Sequence, residues 1–389
     1  MRPRVAYWQN IPAPYVVDRF NALARRGNVE LDAWFSYRTE SDRSWSVEEG
    51  TWDFAYRYLP SARAGGRVVP FPAPLLGRSP PELLISLYGW PWFVAGFALA
   101  RARCVRIAFE CEVTSDRWVV RRAWKERAKQ LLFPRLDAIV TMGAEGEAYA
   151  ERYGARRERM VRVPHSIGAV HFARRDRAES RRGEVRSQLG LHGTTFVYAG
   201  RLWWGKGLDT LLDAYRSLVR SATGETSLLL VGDGEQEAHL RERTRAEELP
   251  NVVFAGFRQQ EELPELLAAT DAFVFPTLGD PYGLVVEEAM AASLPVIASS
   301  AAGEIGTRIE DGVTGYVVPA REAEPLAARM RALHEDEALR RRLGSAAALA
   351  VAGRTPERWA ERFEEAVEQI MALPPAARRC RGVLRRPAR

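Results

Sequence analysis

Two carboxylates eight residues apart follow a buried apolar segment in the second half of the chain. Residues 272–276 read as a strand, a glycine-containing loop follows, and the pattern predicts a helix over residues 284–292. Asp280 lies just before that helix and Glu288 lies on it. A helix N-terminus binds phosphate or hydroxyl oxygens, and a carboxylate accepts hydrogen bonds from paired hydroxyls such as those of ribose. From these residues alone, a capping Asp280 and a solvated Glu288 are an equal alternative.

Arg201 and Lys206 form a second group of candidate residues in a loop that contains three glycines. The loop follows the first strand predicted in the second half, and glycines at positions 200, 205 and 207 permit close backbone approach. Arginine offers a planar fork to phosphate oxygens, and lysine offers a compact charge. Only three of the 56 basic residues are lysines, so Lys206 stands out against a strong preference for arginine. The alternative is a solvated loop with two ordinary cations.

The elements around these residues alternate between short apolar strands and amphipathic helices in both halves of the chain. Predicted strands cover residues 4–8, 83–87, 105–109, 138–142, 195–199, 227–231, 252–255, 272–276 and 295–298. Such alternation predicts two successive α/β domains with parallel sheets. Ligands of these sheets bind outside the carboxyl ends of the strands, where the two candidate loops lie.

The second half resembles the donor domain of the retaining glycosyltransferases of family 4, over residues 195–320. The matching segments, in order, are Gly-Arg-Leu at 200–202, Lys-Gly at 206–207, Leu-Leu-Val-Gly-Asp-Gly at 229–234, Asn-Val-Val-Phe-Ala-Gly-Phe at 251–257, the paired-acid motif at 280–291 and Asp-Gly-Val-Thr-Gly-Tyr-Val-Val at 311–318. Three positions depart from the family pattern, with Asp280 in place of Glu, Tyr282 in place of Phe, and Thr307 where a Glu is common. The shorter acid leaves the donor sugar open, and we assign no role to Thr307.

The resemblance implies a role for each matching residue. Arg201 and Lys206 would neutralise a donor diphosphate, Glu288 would bind the nucleotide ribose, and Asp280 would lie near the transferred sugar. We expect these four residues to be catalytic. The expected donor-binding residues are Gly200, Arg201, Lys206, Gly232, Asp280, Tyr282, Gly283, Leu284, Val285 and Glu288. The sequence has no Asp-x-Asp motif for a divalent metal, so we expect no metal and no cofactor besides the nucleotide-sugar substrate.

The resemblance also implies the GT-B architecture, in which two Rossmann-like α/β/α domains face each other across a cleft and a C-terminal helix crosses back to the first domain. The expected organisation is an acceptor-binding domain at 1–172, a charged linker at 173–187, a donor-binding domain at 188–354, a crossover helix at 355–373 and a basic disordered tail at 374–389. The N-terminal half resembles the family only loosely.

The candidate acceptor-binding residues lie in three separate segments of the predicted N-terminal domain. Pro14 and Tyr15 belong to a loop after the first strand, and Glu110 and Glu112 follow the strand at 105–109. Either glutamate could orient an acceptor hydroxyl, and a salt bridge within the loop explains them equally well. His165 follows a strand and is expected to line a turn or the cleft wall.

The charge distribution bears on possible partners and location. The net charge of +6 equals the six arginines of residues 374–389, so the rest of the chain is near neutral and nucleic-acid binding is not expected. The start of the chain lacks the apolar core of a signal peptide, and the chain is expected in the cytoplasm.

The basic stretch 121–133 predicts either a surface helix or peripheral contact with the inner face of a membrane; we favour the former. The uncharged stretch 83–100 contains Pro91 and predicts a buried strand, a loop and a helix rather than a membrane span.

Three functions remain under consideration from the sequence. The first is transfer of a sugar, with retention and without metal, from a nucleotide diphosphate sugar (UDP favoured) to a hydroxyl of a glycan, a lipid carrier or a small natural product. The second is a nucleotide-sugar epimerase or phosphorylase on the same architecture, because a fold does not fix a function. The third is a non-catalytic nucleotide-sugar-binding scaffold.

Overall fold

The protein is described here from a computed structural model. The described residues are 2–39, 45, 48–64, 67–87, 92–112 and 123–376. They divide into two compact units. The N-terminal unit ends at Pro164 and resumes at Pro356, and the C-terminal unit comprises His165–Thr355.

The N-terminal unit is built on a parallel sheet in the order β3-β2-β1-β6-β7-β8-β9. Its strands are β1 (Arg4–Gln9), β2 (Glu30–Phe35), β3 (Ala55–Tyr58), β6 (Leu83–Leu87), β7 (Arg106–Cys111), β8 (Ala138–Thr141) and β9 (Met160–Arg162), with an antiparallel hairpin of β4 (Ser61–Ala64) and β5 (Arg67–Pro70). Helices α1 (Pro14–Arg26), α2 (Trp92–Ala102), α3 (Ala123–Leu132) and α4 (Ala144–Arg152) connect them. The central strands are buried, as parallel strands covered on both faces must be.

The C-terminal unit contains a second parallel sheet, in the order β12-β11-β10-β13-β14-β15. Its strands are β10 (Thr194–Ala199), β11 (Thr226–Val231), β12 (Val252–Gly256), β13 (Ala272–Phe275), β14 (Val296–Ser299) and β15 (Gly315–Val318). Its helices are α5 (Val170–Ala173), α6 (Arg175–Ser180), α7 (Arg182–Leu189), α8 (Leu208–Ser221), α9 (Glu237–Ala246), α10 (Leu263–Ala268), α11 (Val285–Ala291), α12 (Ile305–Arg308), α13 (Ala323–Glu335) and α14 (Glu337–Val351). One apolar core joins the strands to their flanking helices.

The last helix, α15 (Pro356–Ala372), belongs to the N-terminal unit although it follows the C-terminal one. It packs against α1, and its aromatic side chains contact the sheet, with the ring of Phe363 centred 5.4 Å from that of Tyr7. The chain therefore returns to its first unit. Together with the two parallel-sheet units, this helix confirms the fold class predicted from the sequence. The predicted tail at 374–389 lies, from residue 377, outside the described residues.

The structure differs from the expected organisation around residues 173–187. The unit boundary lies at Pro164–His165, before the predicted position 172, and the predicted linker forms α6 and α7 inside the C-terminal unit. Two of its charges are paired with distant residues of the same unit, because Arg181 contacts Glu265 at 2.5 Å and Arg182 contacts Asp271 at 2.6 Å. The dense run of charges therefore does not form a linker; it covers the side of the C-terminal unit near α10.

In its described parts, the stretch at 83–100 has the predicted strand and helix. It gives strand β6 and most of helix α2, and residues 88–91, including Pro91, lie outside the described ones. In the part of the chain that the structure describes, no helix has both the length and the apolar character to cross a membrane. Of the basic stretch 121–133, residues 123–132 form α3, and residues 121–122 are not described.

Candidate functional site

The two candidate loops of the C-terminal unit meet at the point where the strand order of its sheet reverses. The chain passes from β10 outward to β11 and β12, and then returns to β13 on the other side of β10. Arg201 and Lys206 follow β10, and Asp280 follows β13. Ligands of open α/β sheets bind at such a reversal, outside the carboxyl ends of the strands. The topology therefore brings the predicted residues to the position where this fold binds ligands.

The loop after β10 lies directly against the end of β13. Residues Trp204–Lys206 form a short 3-10 turn, and Gly207 adopts a left-handed conformation (φ 68°) before α8 begins. A Cβ on Gly207 would lie 2.1 Å from the carbonyl oxygen of Pro276, so this close approach requires glycine. The amide of Leu278 also donates to the carbonyl of Gly205 at 2.9 Å. These contacts fix the position of Lys206 relative to the β13 loop.

Lys206 forms an ion pair with Asp280, and both side chains are largely buried, with 18% and 12% of their surface exposed. Burial alone raises the pKa of Asp280, but the Lys206 ammonium and the backbone amide of Tyr282 outweigh it, so the pKa lies below its ordinary value. Asp280 is therefore a carboxylate at neutral pH. Its second role is local, because the amide of Tyr282 donates to it at 3.1 Å.

Arg201 and Gly232 lie beside Lys206 at the ends of β10 and β11. The Arg201 side chain is about one-third exposed and lies 3.7 Å from the carboxylate of Glu235. A Cβ on Gly232 would lie 2.0 Å from the carbonyl oxygen of Gly200, so the two strand ends approach as closely as backbones can. The two cations Arg201 and Lys206 therefore lie on one loop, beside the end of β11. Within the described residues, no group of three or more His, Cys, Asp or Glu side chains is arranged to hold a metal ion.

The helix that carries Glu288 begins directly after the β13 loop. Gly283 (φ 73°) and Leu284 lead into α11, which starts at Val285. Glu288 is 9% exposed, so it is buried rather than solvated. Its carboxylate lies 3.5 Å from Nε2 of His171, a residue of α5 that the sequence did not single out.

A buried network that sequence reasoning missed holds the β13 loop in place. Arg308 donates to the carbonyl oxygens of Tyr282 and Gly283, and its guanidinium lies 4.0 Å from the centre of the Tyr282 ring. The Tyr282 hydroxyl donates to Glu287 at 2.9 Å, and Glu287 lies 3.4 Å from Arg308. Burial, followed by the charge of Glu287, raises the pKa of Tyr282, which stays protonated. Tyr282 in place of Phe thus supplies a hydroxyl to a buried carboxylate.

Sequence signals for this network were weak. Glu287 sits next to Glu288 and Arg308 next to Thr307, so both adjoin the positions compared with the family pattern. Two adjacent glutamates give no indication of which one is buried. In the structure, Glu287 is 1% exposed, and Glu288 faces another helix. The tyrosine at position 282, where the family has phenylalanine, does indicate a buried polar partner, because a buried hydroxyl requires a hydrogen-bond acceptor.

The acceptor candidate Glu110 lies in a different environment from the one expected. Strand β7 extends to Cys111, so Glu110 belongs to the strand and is 1% exposed, not part of the following loop. It accepts a hydrogen bond from Gln9 at the end of β1, at 2.8 Å. Burial, and next the charge of Glu110, raise the pKa of Tyr7 well above its ordinary value. The carboxylate is committed to polar groups of its own sheet.

The remaining acceptor candidates are distributed over both units. Pro14 is the first residue of α1, and Tyr15, half-buried beside it, lies 5.3 Å from the guanidinium of Arg19. Glu112 is half-buried just after β7. His165 belongs to the C-terminal unit, where its ring packs edge-on against Tyr282 with centres 4.7 Å apart. His165 therefore lies within the C-terminal unit as a packing partner of Tyr282.

Comparison with known proteins agrees with this fold. The architecture is the GT-B fold of two-domain glycosyltransferases. HepE from Anabaena, solved in complex with UDP and glucose, superposes with a TM-score of 0.75 at 17% identity over 96% of this chain and 100% of that one. Residues 183–350, which include both candidate loops, match the family model described as Glycosyl transferases group 1.

Two curated relatives are similar in sequence over part of the chain. The alpha-D-kanosaminyltransferase of Streptomyces kanamyceticus is 31% identical over 172 residues, which are 44% of this chain and 44% of the relative. The D-inositol 3-phosphate glycosyltransferase of Nocardia farcinica is 29% identical over 253 residues, 63% of this chain and 54% of the relative. The chain thus spans about half the length of the relatives it matches.

Proposed function

We propose that this protein is a glycosyltransferase that takes a sugar from a nucleotide diphosphate sugar and attaches it to a hydroxyl group of an acceptor. The observation that carries the proposal is the meeting of Lys206 and Asp280 at the reversal point of the C-terminal sheet. A cation that can bind phosphate and a carboxylate that can bind sugar hydroxyls then lie in contact, within the segment that matches the family model.

The charges in the site fit the demands of the reaction. Cleavage of the bond between sugar and phosphate builds negative charge on the diphosphate and positive charge on the sugar. Arg201 and Lys206 stabilise the departing diphosphate, which assigns them the electrostatic role that other transferases give to a metal ion. Asp280, held as a carboxylate, accepts hydrogen bonds from the transferred sugar and stabilises its positive charge. We propose that the reaction proceeds with retention of the anomeric configuration and without a divalent metal.

The donor that we propose is a UDP-sugar. The complex of HepE with UDP and glucose supports this choice, because that chain shares the fold over its whole length. The acceptor is a hydroxyl of an envelope polysaccharide, of a lipid-linked glycan or of a small natural product, and the site of action is the cytoplasm. Both curated relatives are named as transferases, which favours transfer over epimerisation or scaffolding.

The test is a reaction of the protein with a panel of UDP-, GDP-, ADP- and TDP-sugars and candidate acceptors in the presence of EDTA. We expect release of one nucleoside diphosphate that depends on the acceptor, with a product whose anomeric proton coupling matches that of the donor. Acceptor-independent interconversion of the sugar would indicate an epimerase instead. Binding of donors with no turnover by any acceptor would favour the scaffold.

A further inference from the structure

The imidazole of His171 is buried inside the C-terminal unit and faces the carboxylate of Glu288. Its side chain is 1% exposed, and Nε2 lies 3.5 Å from Oε1 of Glu288. His171 belongs to α5, just after the start of the unit, whereas Glu288 belongs to α11, more than a hundred residues later. The contact thus joins the first helix of the unit to the helix that carries the predicted ribose-binding acid.

The environment of this pair leaves each group dependent on the other. Among the residues that the structure describes, no other side chain forms a hydrogen bond or an ion pair with the Glu288 carboxylate. The Nε2 atom of His171 is fully shielded from solvent and forms no hydrogen bond, although the Glu288 carboxylate lies 3.5 Å away. The ring otherwise borders a small cavity lined by Ala178, Glu179, Pro264, Ala268 and Ala292. A buried polar nitrogen without a partner is costly, so its orientation toward Glu288 is significant.

The chemistry of the two groups defines which hydrogen bond could form between them when they move closer together. A carboxylate only accepts hydrogen bonds, so a hydrogen bond between the two groups would require the proton on Nε2 of His171. The separation of 3.5 Å is at the long end of hydrogen bonding, and contacts of this kind tighten when a ligand orders the site. Once this hydrogen bond forms, His171 holds Oε1 of Glu288 and thereby fixes the direction in which the second oxygen points.

We infer that His171 is a positioning residue that orients the Glu288 carboxylate for the ribose hydroxyls of the donor nucleotide. The inference rests on the proposed function, because it assumes that Glu288 binds a nucleotide. It adds a residue that no motif of the sequence marks, and it predicts a consequence for specificity. A carboxylate held in one orientation distinguishes a ribose from a sugar without hydroxyls, and a freely rotating one does so less well.

The test compares the affinities of UDP and 2′,3′-dideoxy-UDP by calorimetry. The variants are His171→Gln, whose amide nitrogen reaches the position of Nε2, and His171→Asn, whose amide is too short to do so. His192→Asn serves as a control, since His192 is an exposed histidine of the same unit. Circular dichroism checks that all variants are folded. A further variant, Glu288→Gln, removes the charge of the carboxylate itself and should also lower the preference for UDP over the dideoxy analogue.

The wild-type protein is expected to bind UDP about 10- to 100-fold more tightly than the dideoxy analogue, as for hydrogen bonds to a charged group. His171→Asn and Glu288→Gln should reduce this ratio to about threefold or less, whereas His171→Gln and His192→Asn should preserve it. If His171→Asn keeps the wild-type ratio of affinities for UDP and the dideoxy analogue, the inference is overturned while the proposed function stands. Failure of the wild-type protein to bind either nucleotide would overturn the proposed function and the inference together.

Discussion

The side chains of Lys206 and Asp280, 74 residues apart in sequence, form a largely buried ion pair across two neighbouring strand ends. Each would otherwise be a buried charge without compensation, which is costly in a protein interior. If a diphosphate binds at Lys206, its oxygens compete with Asp280 for the ammonium. Donor binding would then release the carboxylate toward the sugar, so that the two roles proposed for these residues are linked.

The pair makes stability depend on pH in a defined direction. The pKa of Asp280 in the folded protein lies below its ordinary value, so its contribution to stability is fully present above that ordinary value. The contribution is lost as the pH falls through the folded-state pKa, where the carboxylate is protonated. At pH 7, Asp280→Asn should therefore be less stable than the wild-type protein by about 3 kcal/mol, because it leaves Lys206 without its partner.

Urea denaturation of both proteins between pH 6 and pH 3 measures this dependence. The difference in the free energy of unfolding between the wild-type protein and Asp280→Asn should be constant down to about pH 4 and shrink below it. A difference that stays constant or grows as the pH falls to 3 would show that Asp280 does not carry a lowered pKa.

Gly207 offers a test of the close contact between the two loops. A Cβ there would lie 2.1 Å from the carbonyl oxygen of Pro276, whereas a Cβ on Gly190, with a similar φ of 63°, meets no atom within 4 Å. Gly190→Ala should cost about 1–2 kcal/mol for its left-handed conformation alone. Gly207→Ala should cost clearly more and also weaken nucleotide binding, because the backbone of one loop must move. Thermal and urea unfolding measure both variants. An equal loss of stability in Gly207→Ala and Gly190→Ala would contradict the close contact at Gly207.

Arg308 should be a large contributor to the stability of the β13 loop. Its side chain is 1% exposed, and Arg308→Met would remove its hydrogen bonds to the carbonyl groups of the loop and leave Glu287 with reduced compensation. The expected loss is about 3–5 kcal/mol in the free energy of unfolding, as for other broken buried pairs. The control is Arg245→Met, an exposed arginine of α9, which should change stability by less than about 0.5 kcal/mol.

Urea denaturation of the two variants gives the answer directly. A loss below 1 kcal/mol for Arg308→Met would mean that neighbouring groups or water replace its hydrogen bonds, and the network would not be needed to hold the loop. Tyr282→Phe is a milder companion variant, expected to cost about 1 kcal/mol for the single hydrogen bond to Glu287.

Most of the fold could be predicted from the sequence because its signals are local. Short apolar runs such as Ser227–Val231 are typical of buried strands, and glycines at strand ends mark the turns that follow them. For the same reason, the local pattern at 173–187 predicts a linker where the structure has two helices. Its charges are balanced by Glu265 and Asp271, which lie far along the chain, and no local pattern reveals such pairing.

The site could be predicted only where a motif carries it. Lys206 and Asp280 were identified from their loops, but their contact depends on the adjacency of β10 and β13, which topology alone decides. Arg308 and His171 were missed because single residues on short helices have no periodic signature. Glu110 was misplaced by a strand end two residues later than expected, and that small shift turned an exposed loop residue into a buried one.

The most direct test of the central claim is calorimetric titration of the protein with nucleoside diphosphates in the presence of EDTA, comparing the wild-type protein with Lys206→Ala. The matched control is Lys125→Ala, which changes a half-buried lysine of α3 in the other unit. We expect the wild-type protein and the control to bind UDP equally, and Lys206→Ala to bind it about 10- to 100-fold more weakly. Equal binding by Lys206→Ala, or no binding of any nucleoside diphosphate by the wild-type protein, would contradict the assignment of the donor site.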